Sequence, residues 1–140
     1  MSYHKYNKKN IIKYKKFLLI YNSYNEIFFT KQSYKKLWPK LWTIPYIDYK
    51  TPIKDFIQNK YNINNIENIY LLTNFKYSIS NFILNAKSIA IKIKSNQSYT
   101  SKKSNIKKWL KINQLNQIGL SKISIKIIDY FKTYIKQQKI

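Results

Sequence analysis

Leu72-Thr73-Asn74-Phe75-Lys76-Tyr77-Ser78-Ile79-Ser80-Asn81-Phe82 is the stretch on which the fold turns. It joins two segments that read as strands, Ile69 to Tyr77 and Phe82 to Ile93. In the second, Ile89, Ile91 and Ile93 alternate with Ala90, Lys92 and Lys94, a period of two that predicts one buried and one wet face. Ser80-Asn81 between them is turn chemistry, since small polar side chains bond their own backbone.

Working outward, Thr51-Pro52 opens a helix, with Thr51 as N-cap and Pro52 at the first helical position. Asp55 sits in its first turn, where the helix dipole favours an anion. Ile53, Phe56, Ile57 and Tyr61 form one apolar face, and the Asn-rich stretch from Asn62 to Asn68 ends the helix. Further upstream, Trp38, Pro39, Trp42 and Pro45 crowd one short segment. Proline cannot donate to a sheet ladder, so an ordered extended loop is expected there rather than a central strand. Phe17-Leu18-Leu19-Ile20, within Tyr14 to Tyr21, suits a buried strand. Glu26 to Gln32 makes a second, and a turn at Asn22-Ser23 joins them as a hairpin. Met1 to Lys13 reads as a mobile basic leader holding the single histidine, His4.

Downstream, Ser95 to Asn105 is a polar loop, and Ile106 to Ile112 with Trp109 forms a short last strand. Gly119 and Ser121 introduce a final helix, whose Ile123, Ile127, Phe131 and Ile135 recur every fourth residue, with Ile128 widening the stripe. The order of strands, helix, strands, helix predicts one mixed α/β domain over residues 14–138.

Composition bounds the function. A chain of 140 residues, 44% hydrophobic and 17% aromatic, buries a core and is not a disordered tail. Lys+Arg is 27 against Asp+Glu 5, for a net charge of +22, and every one of those cations is lysine. Such a surface attracts polyanions, nucleic acid first and acidic membrane second. Lys, Asn, Ile and Tyr dominate together, however, and drift toward AT-rich codons raises lysine on any solvated face. Charge alone is therefore weak support for nucleic-acid binding.

The absence of cysteine excludes disulfides, thiolate zinc sites and an all-cysteine iron–sulfur cluster within these residues. No apolar run approaches the roughly 18–20 residues of a membrane-spanning helix. Residues 1–13 lack the apolar centre of a secretory signal. The five acids, Glu26, Asp48, Asp55, Glu67 and Asp129, are scattered and read as surface, turn or helix-end charge, with no pair placed for catalysis.

Three segments together resemble one known family. Lys36-Leu37-Trp38-Pro39-Lys40-Leu41-Trp42-Thr43-Ile44-Pro45 is similar to a "GLW–GLW–FP" segment that follows a first hairpin, with Lys36 and Lys40 standing at its glycines and Ile44 at its Phe. Leu72 to Phe82 resembles an "H-x-F-S-H" motif between two strands. Tyr77 stands at the first His, Ile79 at the Phe, Ser80 at the Ser and Asn81 at the second His. Trp109, Gly119-Leu120 and the last helix match a closing "W–loop–GL–helix" pattern. The family is the A/G-specific adenine DNA glycosylases (MutY family), and the match is to their C-terminal Nudix-like domain.

That resemblance implies a Nudix-like mixed β-sheet flanked by helices. It implies DNA repair by base excision, with recognition of 8-oxoguanine opposite adenine in double-stranded DNA. The family's catalytic acids and iron–sulfur cluster belong to another part, so neither a cofactor nor a catalytic residue is expected here. The partner would be a separately encoded glycosylase catalytic domain, and the place the nucleoid of the cytoplasm. By the same resemblance Ser80 would bond an edge of the oxidised base, although a plain polar turn is the competing reading of the residues. Ile79 would wedge a base step, Asn81 would replace a histidine hydrogen bond, and Tyr77 would stack. Lys76, Lys87, Lys102 and Lys103 would contact phosphates, while Trp38, Trp42 and Pro45 would anchor the loop.

Three alternatives stand beside this reading. A Nudix pyrophosphohydrolase needs several Glu residues on the helix to hold magnesium, and Ile53 to Lys60 offers only Asp55. A small basic RNA-binding protein fits the charge and tyrosine content. A relic of a glycosylase gene, folded without recognition, fits the lost glycines.

Overall fold

The computed structural model describes residues 11–31, 40–79, 81–99 and 104–138. The strands are β1 (Ile12–Tyr21), β2 (Glu26–Lys31), β3 (Trp42–Thr43), β4 (Tyr46–Asp48), β5 (Ile66–Ile79), β6 (Phe82–Ile93) and β7 (Lys107–Lys111). The helices are α1 (Ile53–Tyr61) and α2 (Lys122–Gln138), the latter preceded by a 3₁₀ segment, Ile112–Gln117. Seven strands form one mixed sheet in the order β3-β2-β1-β6-β5, with β4 added to β1 and β7 to β2. At its centre β1 and β6 run parallel, from Ile12 beside Ile83 to Tyr21 beside Lys92.

A strand buried on both sides carries apolar residues without interruption, and β1 does so from Phe17 to Tyr21. Successive side chains point to opposite faces. Phe17, Leu19 and Tyr21 join Phe131, Ile123 and Ile127 of α2 in one core. Leu18 and Ile20 join Ile57 of α1, Phe28 and Ile89 in the other. The sheet is thus sandwiched between α1 and α2. Each fully buried Leu, Ile or Phe in these layers contributes about 1.5–3 kcal/mol over its exposed state.

Several expectations shift. Ala90 was expected on a wet face, yet it is fully buried in the α2-side core, and Lys92 is the only partly exposed side chain from Ser88 to Ile93. β1 begins at Ile12, so Ile12 and Lys13 of the expected leader are strand. The N-cap of α1 is Pro52, not Thr51, and no side chain caps it. Its C-cap, Asn62, is left-handed at φ 57°, donates to the Gln58 carbonyl at 2.9 Å and leads into the buried Ile63. Trp42-Thr43, expected as loop, pairs with Thr30 and Lys31 of β2. No helix among the described residues is long and apolar enough to cross a membrane.

Candidate nucleic-acid interface

β5 and β6 form the longest hairpin among the described residues, in register from Ile66 beside Ile93 to Ile79 beside Phe82. Register shifts between Ile66 and Asn68 and between Leu71 and Thr73 mark bulges, which bend a strand and increase its twist. The Ile79–Phe82 pair leaves two residues, Ser80 and Asn81, as the connection. Asn81 is exposed at the tip; Ser80 lies outside the described residues.

Tyr77 and Ile79 are half-buried and pack on the α2-side core, opposite Leu84 and Phe82 respectively. Lys76 and Ser78 alternate with them and are exposed on the other face. Lys87 is not at the tip. It is half-buried farther down β6, flanked by Asn74 of β5 and Lys16 of β1. Lys102 and Lys103 lie outside the described residues. A cation the sequence reading assigned to the leader does reach the tip: Lys13 Nζ lies 4.4 Å from the centre of the Phe82 ring. Nothing in the local sequence around Lys13 signals this, because it depends on the parallel pairing of Ile12 with Ile83.

Of the three expected loop anchors, Trp38 lies outside the described residues. Trp42 is buried at 7% exposure; its N–H donates to the Gly119 carbonyl at 2.8 Å, and its carbonyl accepts from Ser121 N–H at 2.9 Å. Pro45 is buried too, and its carbonyl accepts from Leu18 N–H at 2.8 Å. Beside them Thr43, Ser121 and Ser124, all fully buried, share hydroxyl contacts of 3.0, 3.1 and 2.8 Å, and Ile44 N–H donates to Ser124 Oγ at 2.9 Å. These groups satisfy one another and clamp the start of α2 to the β3–β4 segment. Sequence reading took Ser121 only as a helix start and missed the cluster.

No group of three His, Cys, Asp or Glu side chains converges among the described residues. Glu26 departs from its reading as surface charge. It is fully buried, accepts from Asn22 Nδ2 and Tyr99 N–H at 2.7 Å each, and bonds Ser98 Oγ as well. Burial by itself raises a carboxyl's pKa, but these hydrogen bonds and the charge of Lys111 outweigh it and hold Glu26 below its ordinary value. It pins the β1–β2 turn to the loop after β6.

No family model matches the chain. It is 32% identical over 131 residues to the adenine DNA glycosylase of Buchnera aphidicola from Baizongia pistaciae, covering 93% of this chain and 36% of that protein. It is 28% identical over 130 residues to the adenine DNA glycosylase of Buchnera aphidicola from Schizaphis graminum, covering 91% and 36%. The chain thus spans about a third of the length of these relatives. Among solved structures, the C-terminal domain of mouse MUTYH, in its complex with human PCNA, superposes with a TM-score of 0.67 at 11% identity over 89% of this chain and 90% of that one. The NUDIX domain of Shewanella oneidensis NrtR, complexed with ADP ribose, gives 0.68 at 10% identity over 89% of each. Both share its fold.

Proposed function

We propose, from the correspondence of this chain to the C-terminal Nudix-like domain of the adenine DNA glycosylases, that it is a DNA-recognition domain of base excision repair reading 8-oxoguanine opposite adenine. The observation that supports this most is the β5–β6 hairpin, whose register closes on Ile79 and Phe82 and so makes Ser80-Asn81 its tip. Ser80 supplies a hydroxyl that both donates and accepts, and Asn81 an amide that does the same. Tyr77 and Ile79, packed inward, brace the tip. Lys13 and Lys76 flank it and hold phosphates, which positions the domain without reading sequence.

Removal of adenine is the work of a glycosylase catalytic unit acting with this domain, after the base is flipped from the stack. The iron–sulfur cluster and catalytic acids belong to that unit, and the place of action is the nucleoid. Asp55 alone on α1 is too little for a magnesium-dependent hydrolase. Magnesium-dependent turnover of a nucleoside triphosphate would overturn that exclusion.

The test is binding to two duplexes at low and high salt, one carrying 8-oxoguanine opposite adenine, the other guanine opposite cytosine. Preference for the oxidised duplex that persists at high salt is expected. Ser80→Ala should reduce that preference by about 1 kcal/mol, one hydrogen bond. Equal binding to both duplexes that collapses with salt would mean phosphate attraction alone.

A further inference from the structure

The two helices cover unequal amounts of the sheet. α1 has 9 residues and is about 14 Å long, whereas β6 has 12 residues and extends for about 40 Å. On the α1 side the core along β1 and β6 therefore stops at Leu18 and Ile89, with Ile47 of β4 continuing it beside Lys16. Beyond it the same face continues as Lys16 beside Lys87 and Tyr14 beside Asn85, with Lys76 next to Asn85 on β5. Tyr14 is 49% exposed, yet its ring is braced edge-on by Tyr49 at 5.4 Å, and the Tyr49 hydroxyl donates to Asn85 Oδ1 at 3.1 Å.

The charge on this patch is uncompensated. Like charges directly opposite on neighbouring strands repel, and Lys16 and Lys87 are such a pair. Lys16 donates to the Thr51 carbonyl at 2.7 Å, and among the described residues neither lysine has a carboxylate within ion-pair distance. Desolvation and the charge of Lys87 both lower the Lys16 pKa. An anion between the two ammonium groups would remove this repulsion. A braced, half-exposed aromatic ring beside it offers a stacking face, which unpaired bases use and paired bases do not.

We infer that this half of the sheet, beyond α1, is a second nucleic-acid surface, separate from the hairpin tip, that holds a single strand of DNA by stacking a base on Tyr14 and seating phosphates on Lys16 and Lys87. Each strand contact is independent of the oxidised base, so the surface stands even if recognition of 8-oxoguanine at the tip fails.

The test is fluorescence anisotropy with a short oligothymidylate, its abasic counterpart and the ribo-oligonucleotide of matching sequence. Lys16→Gln with Lys87→Gln should weaken single-strand binding about tenfold and flatten the salt slope by about 1.4, the release of two counterions from a single strand. Tyr14→Ala should weaken binding to oligothymidylate several-fold and leave the abasic oligomer unaffected. Discrimination between oxidised and normal duplexes should survive in both variants. Lys54→Gln with Lys122→Gln, which removes equal charge from the helices, should have a much smaller effect. If it matches the Lys16/Lys87 pair, only net charge is at work and the site is overturned. Tighter binding of the ribo-oligonucleotide would overturn the assignment to DNA, and an unchanged response of Tyr14→Ala would overturn the stacking role. Circular dichroism of each variant separates loss of binding from loss of fold.

Discussion

Lys40 shows how a single residue preserves the outline of what it replaced. It occupies a glycine position of the segment resembled, and its φ is 66°, the left-handed region in which a Cβ is crowded. Asn25 and Asn62 share that conformation at φ 57°, but asparagine tolerates it by bonding locally. Lys40→Gly should therefore raise stability by about 1 kcal/mol, measured by urea denaturation, with no change in fold. Glu26 argues in the opposite direction. Its lowered pKa means that its contribution is complete above the ordinary carboxyl value of 4.5 and disappears as pH falls through the folded-state value. The thermal midpoint should drop below about pH 4.5, and Glu26→Gln should be less stable at neutral pH but flatter across that acid range. The burial of Glu26 was illegible in the sequence, because its partners Ser98 and Tyr99 come from a loop that has no periodicity.

Elements were legible where a period was long enough to count. β6 falls at Phe82–Ile93 as its pattern predicted, and α2 buries Ile123, Ile127, Ile128 and Phe131 of the expected stripe. Phe131 is fully buried and lies 4.7 Å from Tyr21 between ring centres. Phe131→Ala should cost about 3–5 kcal/mol by chemical denaturation, from lost transfer energy and the cavity left behind. β3 and β4, of two and three residues, and the 3₁₀ segment are too short to display a period, so local reading passes over them. The hairpin tip was legible by motif, whereas the inward packing of Tyr77 and Ile79 depended on which face α2 would cover.

At the scale of the whole molecule the charge dominates. A net charge of +22 on 140 residues makes the compact state repel itself. Raising sodium chloride from about 20 mM to about 200 mM shortens the screening length several-fold and should raise the melting temperature by a few degrees, on the order of 1 kcal/mol. A flat response would mean that the lysines are already spaced to minimise repulsion. The sign of the charge could be read from composition, but its placement could not. Lys13 meets Phe82, and Lys16 meets Lys87, through the parallel alignment of β1 with β6, which is a property of the folded chain.

That alignment also sets the order in which the protein can be made. As the ribosome releases the chain, Phe17 to Tyr21 emerges well before its long partner β6, which is not available until Ile93 has been synthesised. Pairing across so much intervening chain is slow because the loop must close before any contact rewards it. During that interval β2 and β4 can pair with β1, but the edge that β6 will take is bare, and a nascent chain stalled before β6 offers that unpaired strand edge to its neighbours. The rate of synthesis then bears on how much of the chain reaches the finished fold.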